Sequence, residues 1–101
     1  MNRENVEQII KTCGTGSPEF KGRKLEDIRS ENGIIYELDS SNDNPLDVTI
    51  NGTNLYVNDR NYVKFEVDDW GLVIRLYYEH HYIGAIVNNW EDVKDFKLGK
   101  Y

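Results

Sequence analysis

Residues 46–57 read LDVTINGTNLYV, two short apolar-polar alternations on either side of Asn51-Gly52. An Asn-Gly pair suits a two-residue turn whose central residues both need positive φ, and the twist of that turn matches the twist of paired strands. The turn also fixes the register. Ile50 falls opposite Thr53, Val48 opposite Leu55 and Leu46 opposite Val57. These pairs share one face, with Asp47, Thr49, Asn54 and Tyr56 on the other. Turn chemistry and side-chain alternation agree, which specifies a hairpin.

Working outward, the period stays at two from Ile34 onward. A strand over 34–39 sets Ile34, Tyr36 and Leu38 on one face. The turn-rich SSNDNP follows at 40–45, and Pro45 borders the next strand. Past the hairpin, Asp59-Arg60-Asn61 forms a three-residue connection, with Asn61 suited to the left-handed position. A strand over 62–68 alternates Val63, Phe65 and Val67 against Tyr62, Lys64 and Glu66. Asp68 to Gly71 makes the next turn, and 72–79 alternates Leu72, Ile74 and Leu76 against Val73, Arg75 and Tyr77. The stretch 82–87, YIGAIV, is apolar on both faces.

The flanks are helical in pattern. Val6, Ile9, Ile10 and Cys13 recur at spacings of three and four, one stripe of a helix over 3–13, with Gly14 as its stop. Ser17-Pro18 can begin a short turn in the loop 14–23. Leu25 and Ile28 fit a helical turn over 24–30, with a strand leading into Glu31-Asn32-Gly33 as the alternative. Asn89 caps a second short helix, with Glu91 and Asp92 in its first turn, Trp90, Val93 and Phe96 as its stripe and Gly99 as its stop. The expected fold is therefore α+β, a single domain over 1–101. An N-terminal helix packs on an antiparallel β-meander of about six strands, and a short C-terminal helix follows.

In that meander the inner face carries Leu46, Val48, Ile50, Leu55, Val57, Val63, Phe65, Val67, Leu72, Ile74, Leu76, Ile83, Ala85 and Val87. The outer face carries Tyr56, Tyr62, Tyr77 and Tyr82 with Lys64, Glu66, Arg75, Gly84 and Ile86. Tyr62 faces Tyr77, and Lys64 faces Arg75, with Glu66 placed to neutralise the two cations diagonally. Alternating strand directions gather Asn51-Gly52, the 68–71 turn and residues 88–90 at one end, so Trp70 and Trp90 share that end.

Charge and composition narrow the function. The 101 residues have a formal charge of −6. The acidity lies in the β-rich part: from Glu37 to Asp69 there are eight acids and two bases. Phosphate binding needs clustered Lys and Arg, so nucleic-acid and anionic-membrane partners are disfavoured, and a basic protein partner is favoured. No signal-like apolar run follows Arg3, and no apolar run spans a bilayer, so the sequence reads as a cytoplasmic protein without a membrane partner. Cys13, the single cysteine, reads as a packed thiol.

Catalytic and metal patterns are not legible. Glu79-His80-His81 is the only concentration of metal ligands, and neighbouring strand residues point to opposite faces. Residues 39–50 lack the turn glycine and the bidentate Glu of a calcium loop. GTGSP at 14–18 follows a helix and lacks the GK[ST] ending of a phosphate loop. No enzyme activity, cofactor or metal is expected.

In size and charge the chain resembles the small acidic proteins with which bacteria and phages block another protein, such as immunity proteins and inhibitors of host defence. That likeness implies a stoichiometric protein-binding module. Its expected contact residues are Asp68, Asp69 and Trp70 in a turn, and Tyr56, Tyr62 and Tyr77 on the sheet face, because aromatic side chains supply rigid contact area. The alternative is a small-molecule or nucleotide-binding domain with a pocket between helix and sheet, lined by Tyr36, Tyr78 or Cys13.

Overall fold

A computed structural model describes residues 1–13, 26–29, 33–38 and 40–101, with 26–29 described through the backbone alone. The expected helix is α1, Arg3–Lys11. Asn2 caps it, its side-chain oxygen accepting the Asn5 N–H at 2.9 Å. Val6 and Ile10 are fully buried and Cys13 nearly so. The stop at Gly14 and the Ser17-Pro18 turn lie outside the described residues.

The described strands are β1 Glu26–Arg29, β2 Gly33–Glu37, β3 Leu46–Ile50, β4 Thr53–Val57, β5 Asn61–Asp68, β6 Gly71–Tyr78, β7 His81–Asn89 and β8 Phe96–Lys100. All described pairings are antiparallel. The Asn-Gly hairpin has the expected register, with Ile50 opposite Thr53 and Leu46 opposite Val57. Its turn residues have φ of 48° at Asn51 and 84° at Gly52. The ambiguous stretch around Ile28 is a strand, not a helical turn, and pairs with β2.

The single meander is replaced by two sheets. One has the order β1-β2-β5-β6-β7, the other β4-β3-β8. The chain leaves β2, builds the β3–β4 hairpin in the second sheet, and returns so that β5 lies beside β2. Both sheets turn apolar residues onto one core. Phe65 of the first meets Phe96 of the second edge to face, with centroids 5.8 Å apart. Ile34, Tyr36, Val67, Leu72 and Ile74 join Leu46, Val48, Ile50 and Val57 in that core, and α1 adds Val6 and Ile10. Tyr36 is buried with its hydroxyl donating to the Glu7 carboxylate at 2.6 Å. Burial pushes that carboxyl up, and the Tyr36 hydroxyl and the Arg3 guanidinium outweigh it, so its pKa ends lower than usual.

The C-terminal helix is corrected as well. Only a 3-10 turn, Trp90–Asp92, forms, and the Asn89 side chain makes no cap bond. Val93 and Phe96 are buried as expected, but Phe96 begins a strand. β8 supplies the partner that the second edge of β3 needs, pairing Ile50 with Phe96 and Val48 with Leu98. Gly99 lies within it rather than ending a helix. The hairpin tip secures the approach to β8. Asn51 Oδ1 accepts the N–H of Lys94 at 2.7 Å and of Asp95 at 3.1 Å. Its Nδ2 donates to the Asp92 carbonyl at 2.7 Å.

One turn and one strand pairing differ from expectation. Among the described non-glycine residues Asn61 is not one of those with positive φ. Asn58 shapes that turn instead, its Oδ1 accepting the N–H of Arg60 at 2.9 Å and of Asn61 at 2.8 Å. A bulge between Leu76 and Tyr77 also shifts β7: Tyr77 pairs with Tyr82, but Leu76 pairs with Gly84, leaving Ile83 as the extra residue. The shift exchanges the faces of the rest of β7. Ile86 packs against the core, whereas Val87 and Ile83 are exposed at 58% and 64%. Ala85 and Val87 therefore leave the expected inner face.

Candidate functional site

The side of the five-stranded sheet away from the core is built in cross-strand rows. Tyr62 of β5, Tyr77 of β6 and Tyr82 of β7 form one row. The Tyr62 and Tyr77 rings stack in parallel, 5.0 Å apart with 5° between planes. Tyr82 meets Tyr77 edge-on at 5.8 Å. The next row opposes Lys64 and Arg75, as the alternation predicts. Carboxylates relieve the repulsion: Glu37 lies 3.7 Å from Lys64, and Glu66 lies 3.3 Å from Arg75 across the diagonal. The Lys64 ammonium also sits 5.4 Å from the Tyr77 ring centroid. These rings are held by neighbours on several sides before any partner arrives.

Tyr56 belongs to the other sheet, on β4, where its ring packs edge-on against Tyr101 at 4.5 Å. The expected single tyrosine face is therefore not one sheet face. The two sheets nevertheless bring Tyr56, Tyr62 and Tyr77 to the same open cleft of about 220 Å³, walled by Leu55, Leu76 and Ile83. Asn54 and Asn61 provide polar groups at its margin. The cleft is apolar and aromatic with few polar groups.

Tyr62 is shared with a second cavity of about 310 Å³, bordered by Glu37, Asn58, Asp59 and His80. His80 sits in a tight turn in which both central residues, Glu79 and His80, have positive φ, 47° and 71°. Side chains with a Cβ adopt this conformation at a cost of ~1–2 kcal/mol each. Local contacts hold the turn. The Glu79 N–H donates to the Arg60 carbonyl at 2.9 Å, and the His80 ring lies edge-on to Tyr62 at 6.0 Å. Acidic and aromatic groups thus meet on either side of one tyrosine.

Asp68, Asp69 and Trp70 stand apart from the tyrosines, at the opposite end of β5 and β6. Only part of this group faces solvent. Trp70 is 49% exposed, but Asp68 is buried. A carboxylate oxygen of Asp68 occupies the space a side chain at position 33 would need, 1.8 Å from where a Cβ would stand, so the sequence has Gly33 there. Burial pushes the Asp68 carboxyl up, aided by Glu66 and Asp69 and opposed by Arg3 and Arg75. Asp69 is engaged by Arg3 of α1 at 2.5 Å. Trp90 does share this end, its indole N–H donating to the Asp68 carbonyl at 2.9 Å.

Sequence reasoning missed Leu55, Ile83 and His80 as companions of the tyrosines. Leu55 enters because the hairpin belongs to the opposing sheet, and Ile83 because of the bulge. The Glu-His pair carries none of the usual signals for a turn of its type. Of Tyr36, Tyr78 and Cys13, any of which could line a pocket between helix and sheet, Tyr36 and Cys13 are buried and Tyr78 is exposed. Burial pushes the Cys13 thiol up to about 11. No group of three or more His, Cys, Asp or Glu is placed to hold a metal ion among the described residues. Among the same residues no helix is long and apolar enough to cross a membrane. Comparison with protein-family models, with curated proteins and with solved structures finds no match.

Proposed function

We propose that this protein is a protein-binding module that engages a basic protein partner through the tyrosine cleft, in the manner of a stoichiometric inhibitor or immunity protein. The observation that carries this reading is the convergence of Tyr56, Tyr62 and Tyr77, from two different sheets, on one open apolar cleft. Tyrosine rings already stacked lose little freedom on binding, so more of the contact energy remains as affinity. The cleft accepts an apolar side chain of the partner. Asp59, on the other side of Tyr62, together with the chain's net charge of −6, supplies the negative field that draws a basic surface to it.

The test is capture of the partner from the native host at low and at high salt, with three baits compared. Wild-type protein should retain a specific basic protein at low salt and less of it at high salt. A Tyr62→Ala, Tyr77→Ala double variant should retain at least tenfold less while keeping its folded circular-dichroism spectrum. Trp70→Ala should behave as wild type. No specific protein at low salt, or equal capture by the double variant, would overturn the proposal. Loss with Trp70→Ala alone would move the site to the 68–70 turn.

A further inference from the structure

We propose that Asn51 is a self-modifying site: its side chain is converted by the neighbouring Gly52 nitrogen once the hairpin tip opens, and the folded tip holds that reaction off. An asparagine followed by glycine is the pair in which the main chain attacks its own side chain with least hindrance, because no side chain flanks the nucleophilic nitrogen. Asparagine is accordingly among the thermolabile residues. Only Asn32 and Asn51 precede a glycine in this chain. Asn51 and Gly52 are both exposed, and no atom lies within 4 Å of where a Cβ on Gly52 would stand, so water reaches the site. In the reaction the Gly52 nitrogen gives up its proton and bonds to Asn51 Cγ. The Cγ–Nδ2 bond breaks, and Nδ2 leaves as ammonia with that proton. Water then opens the five-membered ring at either of its two carbonyls. One opening leaves aspartate. The other leaves isoaspartate, in which the main chain runs through Cβ and Cγ.

Two features of the folded tip oppose ring closure. The φ values of 48° at Asn51 and 84° at Gly52 are those of the mirror image of a type I turn. In that turn the Gly52 nitrogen and the Asn51 Cβ lie on opposite sides of the Asn51 Cα–C bond, whereas the ring needs them on the same side. The side chain is also tied down. Oδ1 accepts the N–H groups of Lys94 and Asp95, and Nδ2 donates to the Asp92 carbonyl. The two N–H groups polarise the Cγ–Oδ1 bond toward attack, but on an amide that the nucleophile cannot reach. Conversion therefore follows the population of the opened tip. Its products differ in consequence. Aspartate keeps an acceptor for Lys94 and Asp95 and loses the donor to Asp92. Isoaspartate lengthens the main chain by one atom within the turn and makes the former Oδ1 a main-chain oxygen. The turn then lacks the length that sets the β3–β4 register, and the approach to β8 loses its anchor.

Ageing the full wild-type chain at pH 8, folded and in unfolding urea, tests this by mass spectrometry. Both Asn-Gly pairs fall in one tryptic peptide, residues 30–60, and fragmentation within it separates position 51 from position 32. In urea both positions should convert, with release of ammonia and appearance of isoaspartate. In the folded chain position 51 should convert at least ~tenfold more slowly than in urea. A position 51 that stays unconverted in urea, or that converts in the folded chain at the urea rate, overturns the proposal. The aged chains are then returned to native buffer and their amide exchange is read. In those carrying isoaspartate at position 51, β8 amides should exchange at least ~tenfold faster than in unaged chain. Equal protection of β8 in the two would overturn the view that conversion releases this strand.

Discussion

Replacing Asn51 with glycine keeps the left-handed backbone of the hairpin turn and deletes its side chain. Four hydrogen bonds disappear: two accepted from the N–H groups of Lys94 and Asp95, and two donated, one to the Asp92 carbonyl and a longer one, at 3.5 Å, to the Asn88 side chain. An intramolecular hydrogen bond contributes ~1 kcal/mol net, and these are exposed, so water recovers part of the loss. The relief of φ strain by glycine roughly offsets its greater freedom in the unfolded chain. The expected destabilisation is therefore about 1–2 kcal/mol. Equilibrium urea unfolding should show a midpoint lowered by roughly 0.3–2 M, given a slope of ~1–3 kcal/mol/M for a small domain. The loss should be local first: amides of β8 should exchange faster in the variant, while those of β5 and β6 hold. Asn51→Asp keeps both accepted bonds and should fall between the variant and the wild type. An Asn51→Gly midpoint equal to that of the wild type would refute the view that the hairpin tip holds the start of β8.

Gly52→Val should cost about 1–3 kcal/mol in the same urea assay, through backbone strain alone, because φ there is 84° and no atom lies within 4 Å of an added Cβ. Tyr36→Phe removes the donor to the Glu7 carboxylate and should cost ~1–2 kcal/mol at pH 7. Glu7 has a folded pKa below its unfolded one, so its contribution is present above the unfolded value and is lost as pH falls through the folded one. The gap between wild type and Tyr36→Phe should therefore narrow below about pH 4, as unfolding midpoints across pH will show. Cys13, buried and with its thiol pushed up to about 11, should react with iodoacetamide at pH 8 at least ~100-fold more slowly than a free cysteine, and at the ordinary rate once the chain is unfolded.

Local rules were sufficient where one short segment carried both the turn signal and the pattern. Asn51-Gly52 set the hairpin register, the 3-4 spacing of Val6, Ile9 and Ile10 set α1, and the strands around residues 68–71 set the facing of Tyr62 with Tyr77 and Lys64 with Arg75. Each depends on residues within about fifteen positions of one another, so the sequence determined them by itself. The candidate site was half legible: its tyrosines were picked out by type and alternation, but their grouping was not. Tyr56 and Tyr62 line one cleft from two different sheets, and nothing local states that the chain leaves β2, builds a hairpin elsewhere and returns beside it. Phe96 and Leu98 carry a period of two that is too short to distinguish from a helical stripe. Only the free edge of β3, nearly fifty residues earlier, makes them a strand. The bulge at Ile83 likewise reverses the faces of β7; Gly84 beside it, with φ of 156°, is a local signal for a bulge but does not say which face the rest of the strand turns to the core. Those features satisfy main-chain hydrogen bonds and close one core between two sheets, and such requirements exist only once distant segments have met.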